Sequence, residues 1–229
     1  RLTMLEQMIQ SLLVWVLPAF LVATSREAFR NQVIYWMGDA TPKVEDRLGF
    51  GLTKQIDPMG TFAAPIIMSL SSGPPLAWGH KTPIKPSNYK GNRKAAAIMV
   101  ALSGSAFCLG VALISMVILP LVADLVPNFM ADWFFNNISN FIFLNCAMAI
   151  FHLWPILPLD GGWVVSALLP QNASAKYQQI EDYGILIIVV IIMILPVMRQ
   201  YIGVNIPLDQ WLLWQPAFDL FNLLRSLVL

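Results

Sequence analysis

MIQSLLVWVLPAFLVATSREAFRNQVIYWMG, residues 8–38, reads as one long helix with Pro18 inside it, where the ring should bend the chain. Its first half is apolar. Its second half carries Arg26, Glu27 and Arg30, and helical geometry puts residues i, i+3 and i+4 on neighbouring faces. Ionisable groups at membrane depth are costly, and they usually pair and face the bundle interior. The cluster therefore needs acidic partners from elsewhere in the chain.

The remaining chain supports a membrane setting. Of its 229 residues, 57% are hydrophobic and 12% charged, with net charge +1. A soluble domain carries about 25% charged residues. These values indicate a single membrane domain over 1–229 and give no electrostatic footprint for nucleic acid. Cys108 and Cys146 both lie in apolar runs and read as buried thiols rather than a disulfide. Residues 9–24 lead into a charged helix rather than a small-residue cleavage site, so no signal peptide is read.

Further along, residues 39–57 read as a polar loop or small hairpin. Residues 60–79 are apolar but interrupted by Pro65 and SSGPP, and residues 95–123 are long enough to span a bilayer. A core helix is expected over about 136–160, a polar loop at 171–184, and C-terminal helices over about 184–202 and 208–229. Lys43, Arg47, Lys54 and the basic run Lys81, Lys85, Lys90, Arg93 and Lys94 all precede the 95–123 helix. The positive-inside rule places 39–94 on the cytoplasmic, stromal or matrix side of a bacterial inner membrane or an organelle inner membrane. Segment 58–80 would then enter and return as a re-entrant hairpin, a plain further span being the alternative.

FHLWPILPLDGG (151–162) resembles the Leu-Asp-Gly-Gly motif of the site-2 protease family of intramembrane zinc metalloproteases. YWMGDATPK (35–43), QIDPMGT (55–61) and AWGHKTPIKPSNYKGNRKAAAIMVALSGS (77–105) resemble further family stretches in the family's order. The resemblance covers about residues 8–200 and is to the short form without a PDZ domain. It implies an all-α polytopic fold of about five to six transmembrane helices with a re-entrant hairpin.

It also implies a His-Glu-x-x-His zinc helix, with the Asp of Leu-Asp-Gly as third ligand and the Glu as general base. In this sequence those positions are Arg26, Glu27, Arg30 and Asp160. Arginine has no lone pair to give a metal. The resemblance thus implies vestigial catalytic positions, no zinc, and a pseudoprotease that serves as a binding or structural subunit of a membrane complex. Its partners would be the bilayer and transmembrane helices of other proteins. The alternative is an active metallopeptidase with an unusual site, rebuilt from His152, Asp160, Glu27 and a cysteine. Lys85, Gly104, Cys108 and His152 stand at or beside the family's substrate-groove positions.

Two arginines and two acids sum to zero, so an Arg–Asp160 pair is expected to take over zinc's structural role. Arg30, nearer the polar end, could instead snorkel to the surface. His152 is expected to be satisfied by a neighbouring polar group.

Cysteines introduced at Lys43, Lys90 and Lys176 should be labelled only from the inner face, and one at Asp132 only from the outer face. Outer labelling at Lys90 would invert the topology.

Overall fold

Residues 4–69 and 74–228 are described in this computed structural model, the side chains of residues 4–12 and 69 excepted. Every regular element among them is helical: α1 (Met4–Trp36), α2 (Thr41–Val44), α3 (Ala64–Ser69), α4 (Arg93–Val122), α5 (Ala131–His152), α6 (Asp160–Leu168), α7 (Gln171–Gln178), α8 (Glu181–Val189), α9 (Leu195–Ile202) and α10 (Gln215–Val228). Among the described residues, three helical stretches are long and apolar enough to cross a membrane: Arg93–Leu125, Asn128–His152 and Glu181–Ile202.

Helices α1, α4 and α5 form the heart of the bundle. The inner face of α4 is built from small residues: Ala97, Ala101, Gly104, Ser105, Cys108 and Ala112 are buried at helical spacing. Without a hydrophobic drive between helices in lipid, close backbone approach over such residues is what holds them together. The Ser105 hydroxyl donates to the Ala149 carbonyl across the α4–α5 contact at 3.2 Å. The Asn140 amide donates to the Val14 carbonyl, linking α5 to α1 at 2.9 Å.

These contacts also fix direction. Val33 and Ile34 pack on Ala96, Ala97 and Val100, while Gly104 meets Arg26, so α1 and α4 are antiparallel. Ser105 meets Ala149, while Ala112 and Met116 meet Ile142 and Cys146, so α4 and α5 are antiparallel. It follows that α1 and α5 run the same way, with α4 between them in sequence.

Several expected boundaries move. The core helix expected over 136–160 ends at His152, because Pro155 and Pro158 cannot continue it. Asp160 therefore begins α6 instead of ending α5. The polar stretch expected as a loop after 170 forms α7. Instead of a hairpin, 39–57 holds α2 and a 3-10 turn at Leu52–Gln55. Expected helix 184–202 begins earlier, at Glu181, and passes through a π-turn at Val190–Ile194.

Segment 58–80 opens with a π-turn at Pro58–Ala63, capped by the Asp57 carboxylate accepting from the Met59 and Gly60 amides. The apolar helical stretch Pro58–Met68 rises about 16 Å, roughly half a hydrocarbon core. Residues 70–73 of the expected re-entrant turn lie outside the described residues. Beyond them the chain lies back beside its starting point: the Trp78 amide donates to the Gly60 carbonyl at 3.1 Å and the His80 amide to the Gln55 carbonyl at 2.7 Å.

The two glycines of LDGG have a packing role. A Cβ on Gly161 would stand 2.2 Å from the Leu153 carbonyl oxygen, and one on Gly162 2.5 Å from the Leu157 nitrogen. The first turn of α6 can therefore sit against the 153–159 loop only without side chains there. Gly161→Ala should lower thermal stability by about 1–3 kcal/mol, because the blocking atom is backbone. Gly110→Ala, where a Cβ meets nothing within 4 Å, should not lower the melting temperature, since Ala loses less backbone entropy than Gly inside a helix.

Candidate functional site

Arg26, Glu27, Arg30 and Asp160 meet at the centre of the bundle. Both arginines and Asp160 are fully buried and Glu27 is 2% exposed. The Arg26 guanidinium donates through Nη1 to Glu27 Oε1 and through Nη2 to Asp160 Oδ2. Arg26 thus makes the arginine–Asp160 contact and ties α1 to the start of α6. Its seat depends on Gly104: a Cβ there would lie 2.7 Å from Arg26 Cζ. With its guanidinium held between two carboxylates, Arg26 could not easily move aside.

Arg30 does not snorkel. Its Nη1 donates to the Thr82 carbonyl at 2.8 Å, 3.6 Å from Glu27 Oε2, and its Nε lies 3.6 Å from Asp160 Oδ1. The reason is that the loop carrying Thr82 folds back over the C-terminal half of α1, so the end read as surface is covered.

The same loop changes the charge balance. Lys81 Nζ lies 3.1 Å from Asp160 Oδ1 and donates to the Pro158 carbonyl at 2.5 Å. Three cations therefore face two carboxylates, giving +1 with His152 uncharged, where the sequence reading gave zero. Burial pushes the Lys81 ammonium below its usual value, and Asp160 pulls it back only in part.

Lys81 is delivered by a closed ring of side-chain bonds that sequence reasoning missed. Asn31 Nδ2 donates to Gln55 Oε1 at 2.8 Å, and Gln55 Nε2 donates to the Arg47 carbonyl at 2.9 Å. Arg47 Nη2 donates to Thr82 Oγ1 at 2.8 Å, which donates to Asn31 Oδ1 at 2.7 Å. Arg47 Nη1 also holds the His80 carbonyl at 2.7 Å. All four ring residues are buried. Gly79 lets the strap approach α1, since a Cβ there would be 2.8 Å from the Gln55 carbonyl and 3.0 Å from Glu27 Cγ.

His152 is not satisfied as expected. It is 4% exposed, yet neither ring nitrogen has a hydrogen-bond partner among the described residues. The distance from Nδ1 to Asp160 Oδ2 is 3.7 Å. It lies at the end of α5 where the chain leaves the helix, too far from Asp160 for a hydrogen bond. Gly104 and Cys108 are enclosed by α1 and α5, so neither faces an open groove. Lys85 is exposed and lies near Asp39 rather than the cluster. Asp39 would be raised by burial, but bonds from the Thr41 hydroxyl and amide, from Asn88, and the charge of Lys85 hold it below the usual carboxylate range.

Over 174 residues, 73% of this chain and 74% of the relative, the sequence is 31% identical to "Putative zinc metalloprotease YwhC" of Bacillus subtilis (strain 168). The chain belongs to that metalloprotease's family. No protein-family profile matches it, and no solved structure does. The kinship agrees with the site-2 protease-like order of its motifs. A family zinc ion needs lone pairs from the residues around it. Apart from the His152 imidazole, 3.7 Å from Asp160, the groups that face Glu27 and Asp160 here are guanidinium and ammonium N–H donors, which do not fit a divalent cation.

Removing one partner of a buried ion pair costs about 3–5 kcal/mol in soluble proteins. Asp160→Ala should lower thermal stability by that order. Arg26→Met combined with Asp160→Ala should cost less than the sum of the single changes. Simple additivity in melting temperatures would mean that the two groups do not touch.

Proposed function

We propose that this chain is a catalytically inactive site-2 protease-like membrane protein, a pseudoprotease that acts as a binding or structural subunit of a membrane protein complex. The observation that carries the reading is the Arg26 guanidinium bridging Glu27 and Asp160. In the family these acids would serve as general base and metal ligand. Here both are engaged by cations, so neither is free to activate water or hold a metal. Arg26, Glu27, Arg30 and Asp160 are then vestigial catalytic positions whose remaining task is to fasten α1, α6 and the Lys81 strap together.

The same reading makes 58–80 a re-entrant hairpin on the inner side, supported by its short apolar helix and by the return of Trp78 and His80 to Gly60 and Gln55. Since Gly104 and Cys108 are enclosed, a partner helix would pack on the outer faces of the bundle. The exposed row Ile114, Val117, Ile118 and Leu121 on α4 offers one such face.

Protein purified without chelator should contain no stoichiometric zinc by elemental analysis. One zinc per chain, lost in Asp160→Ala, would overturn the pseudoprotease reading and favour an active metallopeptidase. The double change Arg26→His with Arg30→His should gain zinc affinity, since Glu27 and Asp160 remain in place.

A further inference from the structure

A cavity of about 290 Å³ opens beside the ionic cluster. Its polar lining is Glu27, Asp57, Lys81 and His152, and its apolar lining includes Phe151, Leu159, Ile185, Ile188 and Val189. Lys81 keeps 26% of its side chain exposed. His152, 4% exposed, also lines the cavity, and neither of its ring nitrogens has a hydrogen-bond partner among the described residues. The α8 wall is continuous with residues facing outward from the bundle: Ile185 is 47%, Leu186 59% and Ile187 45% exposed.

A surplus of charge over its partners and unbonded imidazole nitrogens are costly to bury. A ligand that supplies one negative charge and hydrogen-bond acceptors offsets both costs. From these groups we infer that the cavity binds a long-chain fatty carboxylate drawn from the bilayer, with its head at Lys81 and His152 and its chain along Ile185, Ile188 and Val189. A carboxylate supplies one charge, matching the excess of one. Two oxygens can accept from the Lys81 ammonium and a His152 N–H together. Bound there, it would also offset the desolvation that depresses Lys81. A client helix supplies neither feature, because its backbone is internally bonded and its side chains at this depth are apolar. Asp57 also lines the cavity and carries a negative charge, but it is half-buried and is not among the charges that chiefly act on Lys81, which are those of Asp160, Arg30, Glu27 and Arg26.

The inference does not require the loss of catalysis: zinc content and fatty-acid binding are read separately. The test uses the full chain in detergent, with oleate as probe, oleyl alcohol as neutral control and acetate as short control. Oleate should raise the melting temperature, and the two controls should not. Dibrominated stearate should quench tryptophan fluorescence, with the quenching reduced in Trp78→Phe, since Trp78 lines the cavity. Lys81→Gln should weaken oleate binding about tenfold or more, the scale of one charge-assisted hydrogen bond, while Lys81→Arg retains it. Equal stabilisation by oleyl alcohol would reduce the site to an apolar cleft, and equal stabilisation by acetate would remove the chain from the argument. Either result overturns the inference. So does displacement of oleate by a short apolar peptide with a free C-terminus that binds more tightly. Should Lys81→Gln fail to fold, the quenching comparison in Trp78→Phe and wild type still decides.

Discussion

The Arg26 guanidinium is the point on which the centre of this bundle depends. It is planar and always charged, and its fork of donors reaches two carboxylates at once. One belongs to its own helix and the other begins α6, 134 positions along the chain. A buried ion pair is weak evidence for net stability, because desolvation cancels much of the attraction. What it gives firmly is registry: α1 and α6 can meet in few other ways without stranding a charge.

That registry dictates the small residues around it. The guanidinium needs a flat neighbour, and α4 supplies Gly104. Asp160 must be brought to the guanidinium by a turn that packs tightly on the loop before it, which requires Gly161 and Gly162. Gly79 performs the same service for the strap. The glycines of the family-like motifs are thus explained by packing alone, whether or not a metal is ever present. This is why the fold can persist after its chemistry changes.

Much of the bundle was legible in the sequence. Apolar length marked the three stretches long enough to cross a membrane, Arg93–Leu125, Asn128–His152 and Glu181–Ile202, the ordered motifs marked the family, and the buried charge at Arg26 announced a partner that the LDGG motif supplied. The misses share a cause. Lys81 was read with its neighbours as a surface loop, because local sequence carries no sign that a strap turns inward. The ring of Asn31, Gln55, Arg47 and Thr82 that turns it is assembled from four separate stretches. His152 was expected to find a polar neighbour, but Pro155 and Pro158 carry the chain off the helix and leave its ring nitrogens unbonded. Helix ends moved where Asp160 opens a helix rather than closing one.

Charge accounting suits arginine at both positions where the family resemblance implies histidine. The family resemblance implies a site where a dication faces a glutamate and an aspartate, two positive charges against two negative. Removing the metal and leaving both acids would bury two uncompensated carboxylates, which is far more costly than a neutral polar group. One arginine restores half the balance; Arg26 and Arg30 together restore all of it. Their geometry divides the work: Arg26 bridges the acids directly, while Arg30 stands off at 3.6 Å from each and spends its best bond on the Thr82 carbonyl. On the proposed reading the two arginines act as one electrostatic unit, and Lys81 is the charge above balance. That charge borders the cavity and keeps part of its side chain exposed, which sets it apart from the two fully buried arginines.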